Sequence, residues 1–157
     1  MELKFKKVDK DRLDQIIDKY HGEAGSLIQI LLEIQSENRW LPKEALEKVS
    51  KRLEVPLTRI QHITTFYKAF SLVPKGRHEI HICVGTACHV RGAKRVLETV
   101  EDLTGITPGE TDNDMKFSLE TVNCLGCCAL GPVVEINGKI HGNISTSETA
   151  EVLKNYK

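Results

Sequence analysis

Residues 122–132 read VNCLGCCALGP, and three of the five cysteines of the chain lie within this stretch. The other two, Cys83 and Cys88, belong to the earlier stretch HICVGTACHVRGA. Each group follows an alternating apolar segment that predicts a β-strand, HEIHICV in the first case and MKFSLETVNC in the second. Most of the cysteines are therefore expected at strand ends or in the loops that follow. If the two strands are neighbours in one sheet, their ends bring both groups together, as a metal centre with ligands from two loops requires.

The composition is that of an ordinary globular protein without net charge. The 157 residues include 22 basic and 22 acidic side chains, and 40% of them are hydrophobic. A nucleic-acid partner would favour a basic surface, so we expect none. No apolar run approaches the ~18 residues that span a bilayer, so no membrane insertion is expected. The start, MELKFKKVDKDRLDQ, lacks the apolar core of a secretion signal. We therefore expect a cytoplasmic protein whose clustered cysteines are metal ligands or catalysts, not disulfides.

The first half of the chain has the apolar periodicity of helices. Apolar residues recur at helical spacing in four segments separated by short linkers that contain glycine or proline. The four sets are Leu13, Ile16, Ile17 and Tyr20; Leu27, Ile30, Leu31 and Ile34; Leu46, Val49 and Leu53; and Ile60, Ile63 and Phe66 or Tyr67. Thr58 is a candidate N-cap of the fourth helix. We predict an antiparallel helical bundle over residues 1–75.

One pair of these helices, ALEKVSKRLEVPLTRIQHI, has the outline of a helix-turn-helix. That pattern would suit a DNA-binding protein. Two bundle helices joined by a short turn give the same pattern. Because the chain is neutral and the second helix has no clear basic stripe, we favour the bundle.

The second half, residues 76–157, mixes strands and helices. After the first strand, GAKRVLETVEDLTG carries Val96, Leu97, Val100 and Leu103 at helical spacing, with Gly105 in a stop position. VVEIN and KIHGNI are further strands, and Asn137-Gly138 between them predicts a tight hairpin. TSETAEVLKN predicts a closing helix with Thr146 or Ser147 as its cap. This order predicts a compact α/β layer fold, and the whole chain is therefore α+β.

The spacing of the cysteines narrows the choice of metal. Zinc sites use pairs two residues apart, which suits Cys124 and Cys127 but not Cys83 and Cys88. Covalent haem attachment needs a histidine after a two-residue gap, whereas His89 follows a four-residue gap. A four-residue gap does occur in iron–sulfur loops. Spacing therefore favours an iron–sulfur cluster over zinc, and it leaves open which cysteine is the spare one.

Glycines beside the cysteines are consistent with a cluster. Gly85 and Gly126 would let backbone N–H groups approach the sulfurs. An oxidised all-thiolate [2Fe–2S] centre carries a formal charge of roughly −2, so N–H donors help to stabilise it and to set its potential.

The two motifs CVGTACHVRGA and VNCLGCCALGPVVEINGKIHG together resemble the thioredoxin-like [2Fe–2S] ferredoxin family. Its members include the small iron–sulfur subunit of respiratory complex I and the corresponding subunits of NAD(P)-linked, often electron-bifurcating, hydrogenases and formate dehydrogenases. LLEIQSENRWLPKEAL and VPLTRIQHITTFYKAFSLVPKG are similar to the helical N-terminal region of that family. The resemblance implies a helical docking domain over residues 1–75 and a thioredoxin-like domain over residues 76–157 that carries one [2Fe–2S] cluster.

By this resemblance the cluster ligands are Cys83, Cys88, Cys124 and Cys128. Cys127 is then the spare, at a position where relatives have a small residue, and we favour a small buried hydrophobic role for it over a redox role. Gly131-Pro132 stands where many relatives have Ala-Pro.

His89 and Arg91 are expected at the start of the helix that follows the first cysteine pair, near a negatively charged cluster. Two interpretations remain open. In the functional interpretation, Arg91 moderates the reduction potential of the cluster or contacts the partner flavoprotein. In the other interpretation, both residues belong to a solvated first turn of the helix.

The resemblance implies a non-catalytic electron-transfer subunit without catalytic residues of its own. Its partners would be an FMN- and NAD(H)-binding flavoprotein and a further iron–sulfur or hydrogenase subunit. The chain lacks a glycine-rich nucleotide motif, so FMN and NAD(P) are expected on a partner only and no activity is expected from the chain alone. The segment TACHVRGA is more similar to the hydrogenase-type members than to the respiratory ones, so the resemblance implies a hydrogenase, of the bifurcating type, as the parent complex. The alternatives are a respiratory NADH:quinone oxidoreductase and an NAD-dependent formate dehydrogenase. Alternatives of another class are a structural zinc-binding interaction module and a DNA-binding regulator with a redox-sensing cluster.

Overall fold

The computed structural model describes residues 10–156, and the chain divides into two compact units between Pro74 and Lys75. The first unit is helical. Its elements are α1 (Lys10–Lys19), α2 (Leu27–Asn38), α3 (Lys43–Leu53) and α4 (Leu57–Phe66), with a 3₁₀ turn at Ala24–Ser26. No helix in this part of the chain or in the rest of residues 10–156 is long and apolar enough to cross a membrane.

The four helices form because each can bury one apolar stripe. The predicted stripes of α1, α2 and α3 contribute to one shared core, in which Ile17, Ile30 and Val49 have no exposed surface. Burial of such a stripe supplies most of the stability of a short helix. The predicted positions of these helices are therefore confirmed.

The ends of α4 differ from the prediction. The N-cap is Pro56, so Thr58 lies inside the first turn and the expectation of a threonine cap was wrong. Phe66 ends the helix and is 78% exposed, because Tyr67 leaves the helical conformation and Phe70 supplies the aromatic ring of the core instead.

In its described residues, 75–156, the second unit contains a four-stranded sheet and three α-helices. In chain order these elements are β1 (His78–Cys83), α5 (Thr86–Val90), α6 (Ala93–Thr104), β2 (Phe117–Val122), β3 (Val133–Ile136), β4 (Lys139–Gly142) and α7 (Thr146–Lys154). The strand order is β2-β1-β3-β4. β1 is parallel to β2 and antiparallel to β3, and β3 is antiparallel to β4.

The core of this unit lies between the sheet and the two longer helices. Ile80 and Ile82 of β1 pack in one cluster with Val96 and Val100 of α6 and with Leu153 of α7.

The helical stripe of α6 is shorter than predicted. Leu103 is 52% exposed, and Ile106, just beyond the helix, is buried in the core. The chain turns at Gly105, which adopts a left-handed conformation (φ 71°), so the residue after the helix reaches the core and Leu103 does not.

Of the predicted hairpin turn and the predicted N-cap of α7, the structure confirms only the hairpin turn. Asn137 and Gly138 both have positive φ (51° and 82°) and connect β3 to β4, which confirms the predicted hairpin. The cap of α7 is Ser145, so the prediction of Thr146 or Ser147 was wrong. Ser145 has an extended backbone, and its side chain forms a capping box with Glu148.

Candidate metal centre

The two cysteine loops leave the sheet at the same edge. β1 and β2 are parallel neighbours with Cys83 opposite Val122, which confirms the predicted adjacency of the strands. Gly85 lies where the two loops meet. A Cβ atom at this position would lie 2.4 Å from the carbonyl oxygen of Asn123, so glycine is required for the close approach.

The first pair of cysteines is buried. Cys83 ends β1 and is 3% exposed, and Cys88 is 1% exposed. Cys88 does not lie in an irregular loop but in the middle of the short helix α5. The helix directs its thiol inward against Ala93 and Val133.

The second pair is exposed. The sulfur atoms of Cys124 and Cys128 lie 3.9 Å apart. The backbone N–H of Gly126 donates to the Cys124 sulfur at 3.3 Å, and Gly126 has a left-handed conformation (φ 81°) that turns its N–H toward this sulfur. Cys128 begins a 3₁₀ turn that runs to Leu130.

Electrostatics connect the first pair to the second. Burial acts to raise the pKa of the Cys83 thiol, but backbone N–H groups of Leu125 and Gly85 and side-chain hydrogen bonds with Cys88 and Cys124 outweigh burial. The pKa of Cys83 is therefore lower than that of an ordinary thiol. Two loops thus supply donors to one sulfur.

The neighbouring thiols respond in the opposite direction. Burial raises the pKa of Cys88, and its contact with Cys83 raises it further. The pKa of Cys128 is raised first by its hydrogen bond with Cys124. A negative charge on one sulfur therefore disfavours a negative charge on the next, and a bound cationic centre would allow all four to ionise together.

Cys127 has different neighbours. It is half-buried, and its thiol donates to the carbonyl oxygen of Leu125 at 3.7 Å, within its own loop. It also packs against the small apolar cluster that contains Val133. These contacts suit a small packing residue, and its status as the spare cysteine stays a prediction.

Arg91 lies at a different place from the one predicted. It caps the C-terminal end of α5, and α6 begins two residues later, after Gly92; His89 lies within α5 and is exposed. The guanidinium of Arg91 donates from Nη1 to the carbonyl oxygens of Cys128 (2.9 Å) and Ala129 (3.0 Å). Sequence reasoning missed this contact, since no local pattern relates residues 37 and 38 positions apart.

Both cysteine-bearing stretches contain an exposed apolar side chain. Val90 is 80% exposed and Leu130 is 45% exposed. The sequence contains no aspartate or glutamate in residues 80–97 or 121–134, the two stretches that carry the cysteines. The lysine and arginine side chains in these stretches are Arg91, Lys94 and Arg95.

The donor set fits an iron–sulfur cluster. Four thiol sulfurs from the two cysteine-bearing segments, with backbone N–H groups directed at Cys83 and Cys124, match the ligands that [2Fe–2S] clusters take. Within residues 10–156, no group of three or more histidine, cysteine, aspartate or glutamate side chains is arranged to hold a metal ion. A two-iron cluster does not require such a group, because each of its irons takes two protein ligands.

The fold and the cysteines define the class of the protein: a thioredoxin-like domain with four converging thiols, preceded by a helical unit. Residues 13–157 match the family model described as thioredoxin-like [2Fe–2S] ferredoxin, and the chain belongs to this family. The resemblance noted from the cysteine motifs is thereby confirmed.

Two relatives illustrate the range of the family. The NADP-reducing hydrogenase subunit HndA of Solidesulfovibrio fructosivorans is 35% identical, over 90% of this chain and 83% of the relative. An NADH-quinone oxidoreductase subunit of Aquifex aeolicus is 31% identical, over 99% of this chain and 97% of the relative.

The crystal structure of an air-oxidized NAD⁺-reducing [NiFe]-hydrogenase is similar in fold, with a TM-score of 0.72 over 83% of this chain. It is 21% identical, and the match covers 22% of that longer chain.

Proposed function

We propose that this chain is the [2Fe–2S] electron-transfer subunit of an NAD(P)H-linked oxidoreductase complex. The observation that carries the proposal is the convergence of four thiols from two cysteine-bearing segments at one sheet edge, in a member of a [2Fe–2S] ferredoxin family. In this proposal the cluster ligands are Cys83, Cys88, Cys124 and Cys128. When bound, a [2Fe–2S] group supplies one-electron transfer.

The protein contributes a graded environment for that group. Cys83 and Cys88 are held in the apolar interior, where their positions are set by β1 and α5. Cys124 and Cys128 lie at the surface. N–H donors such as that of Gly126 stabilise negative charge on sulfur and help to set the reduction potential.

The exposed side of the site suits contact with a redox partner. Val90 lies two residues after Cys88 and Leu130 two residues after Cys128, and both apolar side chains are exposed and accessible to a partner. We propose that this side faces an FMN- and NAD(H)-binding subunit. A flavin there would take one hydride, which carries two electrons, from the nicotinamide and pass the electrons one at a time to this chain.

The helical unit is proposed as the docking element. Phe66 and Tyr67, at the end of α4, are 78% and 46% exposed and belong to an open groove of about 490 Å³. Its lining residues are Arg59, His62, Ile63, Thr65, Phe66 and Tyr67. Large exposed aromatic side chains are typical of interface hot spots.

For the parent complex we propose a hydrogenase, with the electron-bifurcating type first. The 35% identity to a subunit of an NADP-reducing hydrogenase supports this choice. The alternatives are a respiratory NADH:quinone oxidoreductase, supported by the 31% identity to the Aquifex aeolicus relative, and an NAD-dependent formate dehydrogenase.

Anaerobic purification with assays for iron, acid-labile sulfide and zinc tests the proposal. We expect about two iron and two sulfide per chain, and a paramagnetic signal after reduction with dithionite. Cys124→Ser should lose or weaken the cluster, and the matched control Cys127→Ser should retain it. A colourless protein that contains zinc would refute the electron-transfer role and favour a structural zinc module.

A further inference from the structure

Arg91 connects the two parts of the polypeptide that carry the cysteines. Its backbone ends α5, which carries Cys88. Its guanidinium reaches the 3₁₀ turn that begins at Cys128, where Nη1 donates to two successive carbonyl oxygens at 2.9 and 3.0 Å. One side chain therefore links the segments of two proposed ligands.

We propose that Arg91 is a positioning residue for the cluster: it holds the turn that carries Cys128 against the helix that carries Cys88, and its charge raises the reduction potential. This inference rests on the proposed function, since the second part requires a cluster at the four thiols.

The hydrogen bonds support the positioning part. A charged donor to a carbonyl oxygen forms a stronger bond than a neutral one, and the two acceptors are adjacent peptide groups of a single turn. Fixing two successive carbonyls restricts the backbone at Cys128 and Ala129. Within the turn, backbone hydrogen bonds run from Leu130 to Cys127 and from Gly131 to Cys128. Because so short a turn has few internal hydrogen bonds, the contact with Arg91 contributes strongly to keeping it ordered.

Gly131 provides an independent observation. A Cβ atom on this residue would lie 3.1 Å from the sulfur of Cys88 and 3.5 Å from Cδ of Arg91. The absence of a side chain therefore lets the second loop approach both groups. Arg91 and Cys88 thus line one closely packed junction with the turn that carries Cys128.

The charge supports the second part. The added electron makes the reduced cluster more negative, and a nearby positive charge stabilises that form. No acidic side chain lies in either cysteine-bearing stretch, so nothing within residues 80–97 or 121–134 neutralises the guanidinium. Removal of the charge should lower the reduction potential.

The experiment compares Arg91→Gln and Arg91→Lys with Arg95→Gln, which removes the same charge from an exposed arginine of α6. Hydrogen exchange at the amides of Leu130 and Gly131 reports the order of the turn, with and without reconstitution by iron and sulfide. A redox titration followed by the paramagnetic signal gives the potential of each reconstituted protein.

In Arg91→Gln we expect exchange at these two amides to be roughly tenfold faster, since bonds to a charged group are lost, and the potential to be lower. Arg91→Lys keeps the charge, so its potential should stay near that of the wild type while exchange rises. Arg95→Gln should change neither readout.

Equal exchange in Arg91→Gln and Arg95→Gln would overturn the positioning role. An unchanged potential in Arg91→Gln would overturn the electrostatic role. If the wild-type chain takes up no iron and sulfide, the proposed function and the electrostatic role fail together, while exchange in the metal-free chain still decides the positioning role.

Discussion

Gly85 provides the sharpest test of how the loops meet, because its replacement by alanine has a calculable consequence. The added Cβ would lie 2.4 Å from the carbonyl oxygen of Asn123, whereas ordinary contacts begin at 3.4 Å. The two loops would therefore have to separate by about 1 Å, and the contacted atom is rigid backbone. The cost should resemble that of overpacking a core, about 2 kcal/mol in the free energy of unfolding.

Thermal unfolding followed by circular dichroism, together with the iron content after reconstitution, measures both effects. We expect the melting temperature of Gly85→Ala to fall by roughly 4–8 °C. Iron retention should fall as well, because the separation moves Cys124 away from Cys83. Gly25→Ala is the matched control, since nothing lies within 4 Å of its Cβ position and no positive φ is involved. If Gly85→Ala matches this control in both stability and iron content, the close approach of the loops is not what forms the site.

Three further predictions concern other parts of the molecule. Phe66→Ser should change the free energy of unfolding by no more than about 0.5 kcal/mol, because the ring is 78% exposed. It should weaken binding of the flavoprotein subunit, so less FMN should copurify with the tagged chain from its native host. An equal amount of FMN would argue against the docking role. Ser145→Ala removes the capping box with Glu148 and should lower the free energy of unfolding by about 1 kcal/mol in urea titrations, and an unchanged midpoint would contradict this. Burial, with a smaller effect of Lys139, lowers the pKa of His141, whose buried Nε2 has no hydrogen-bond partner within the described residues. The unfolded chain therefore binds a proton near the ordinary pKa of about 6.5 while the folded chain resists it, so the free energy of unfolding should fall as the pH drops below that value. His141→Gln should show a smaller fall, and an identical pH profile would refute the assignment.

The helices of the first unit could be predicted because their signal is local. Leu46, Val49 and Leu53 recur at helical spacing, and all three are buried. A helix ends at the residue whose backbone first leaves the helical conformation, and contacts with neighbouring segments influence which residue that is. Thr58 and Phe66 were therefore misassigned, although the helix that contains them was predicted correctly.

The hairpin illustrates the same rule in the second unit. Asn137-Gly138 was predictive because two residues that tolerate positive φ suffice to specify this turn. The predicted burial of Leu103 was wrong, because the spacing within α6 contains no information about where the chain turns back after Gly105. Periodicity predicts which residues can face a core, and the path of the following loop selects among them.

For the proposed metal centre, the sequence by itself determined the ligand types, their spacing and the strands that precede them. Only the tertiary structure decided which atoms meet: the parallel pairing of β1 with β2, the sulfurs of Cys124 and Cys128 at 3.9 Å, and the contact of Arg91 with the turn after Cys127. The physical reason is the distance along the chain over which each kind of interaction acts. Dihedral preferences and apolar periodicity act over a few residues, whereas Arg91 and Cys128 are 37 positions apart and meet only because the strand order brings their loops to one edge of the sheet.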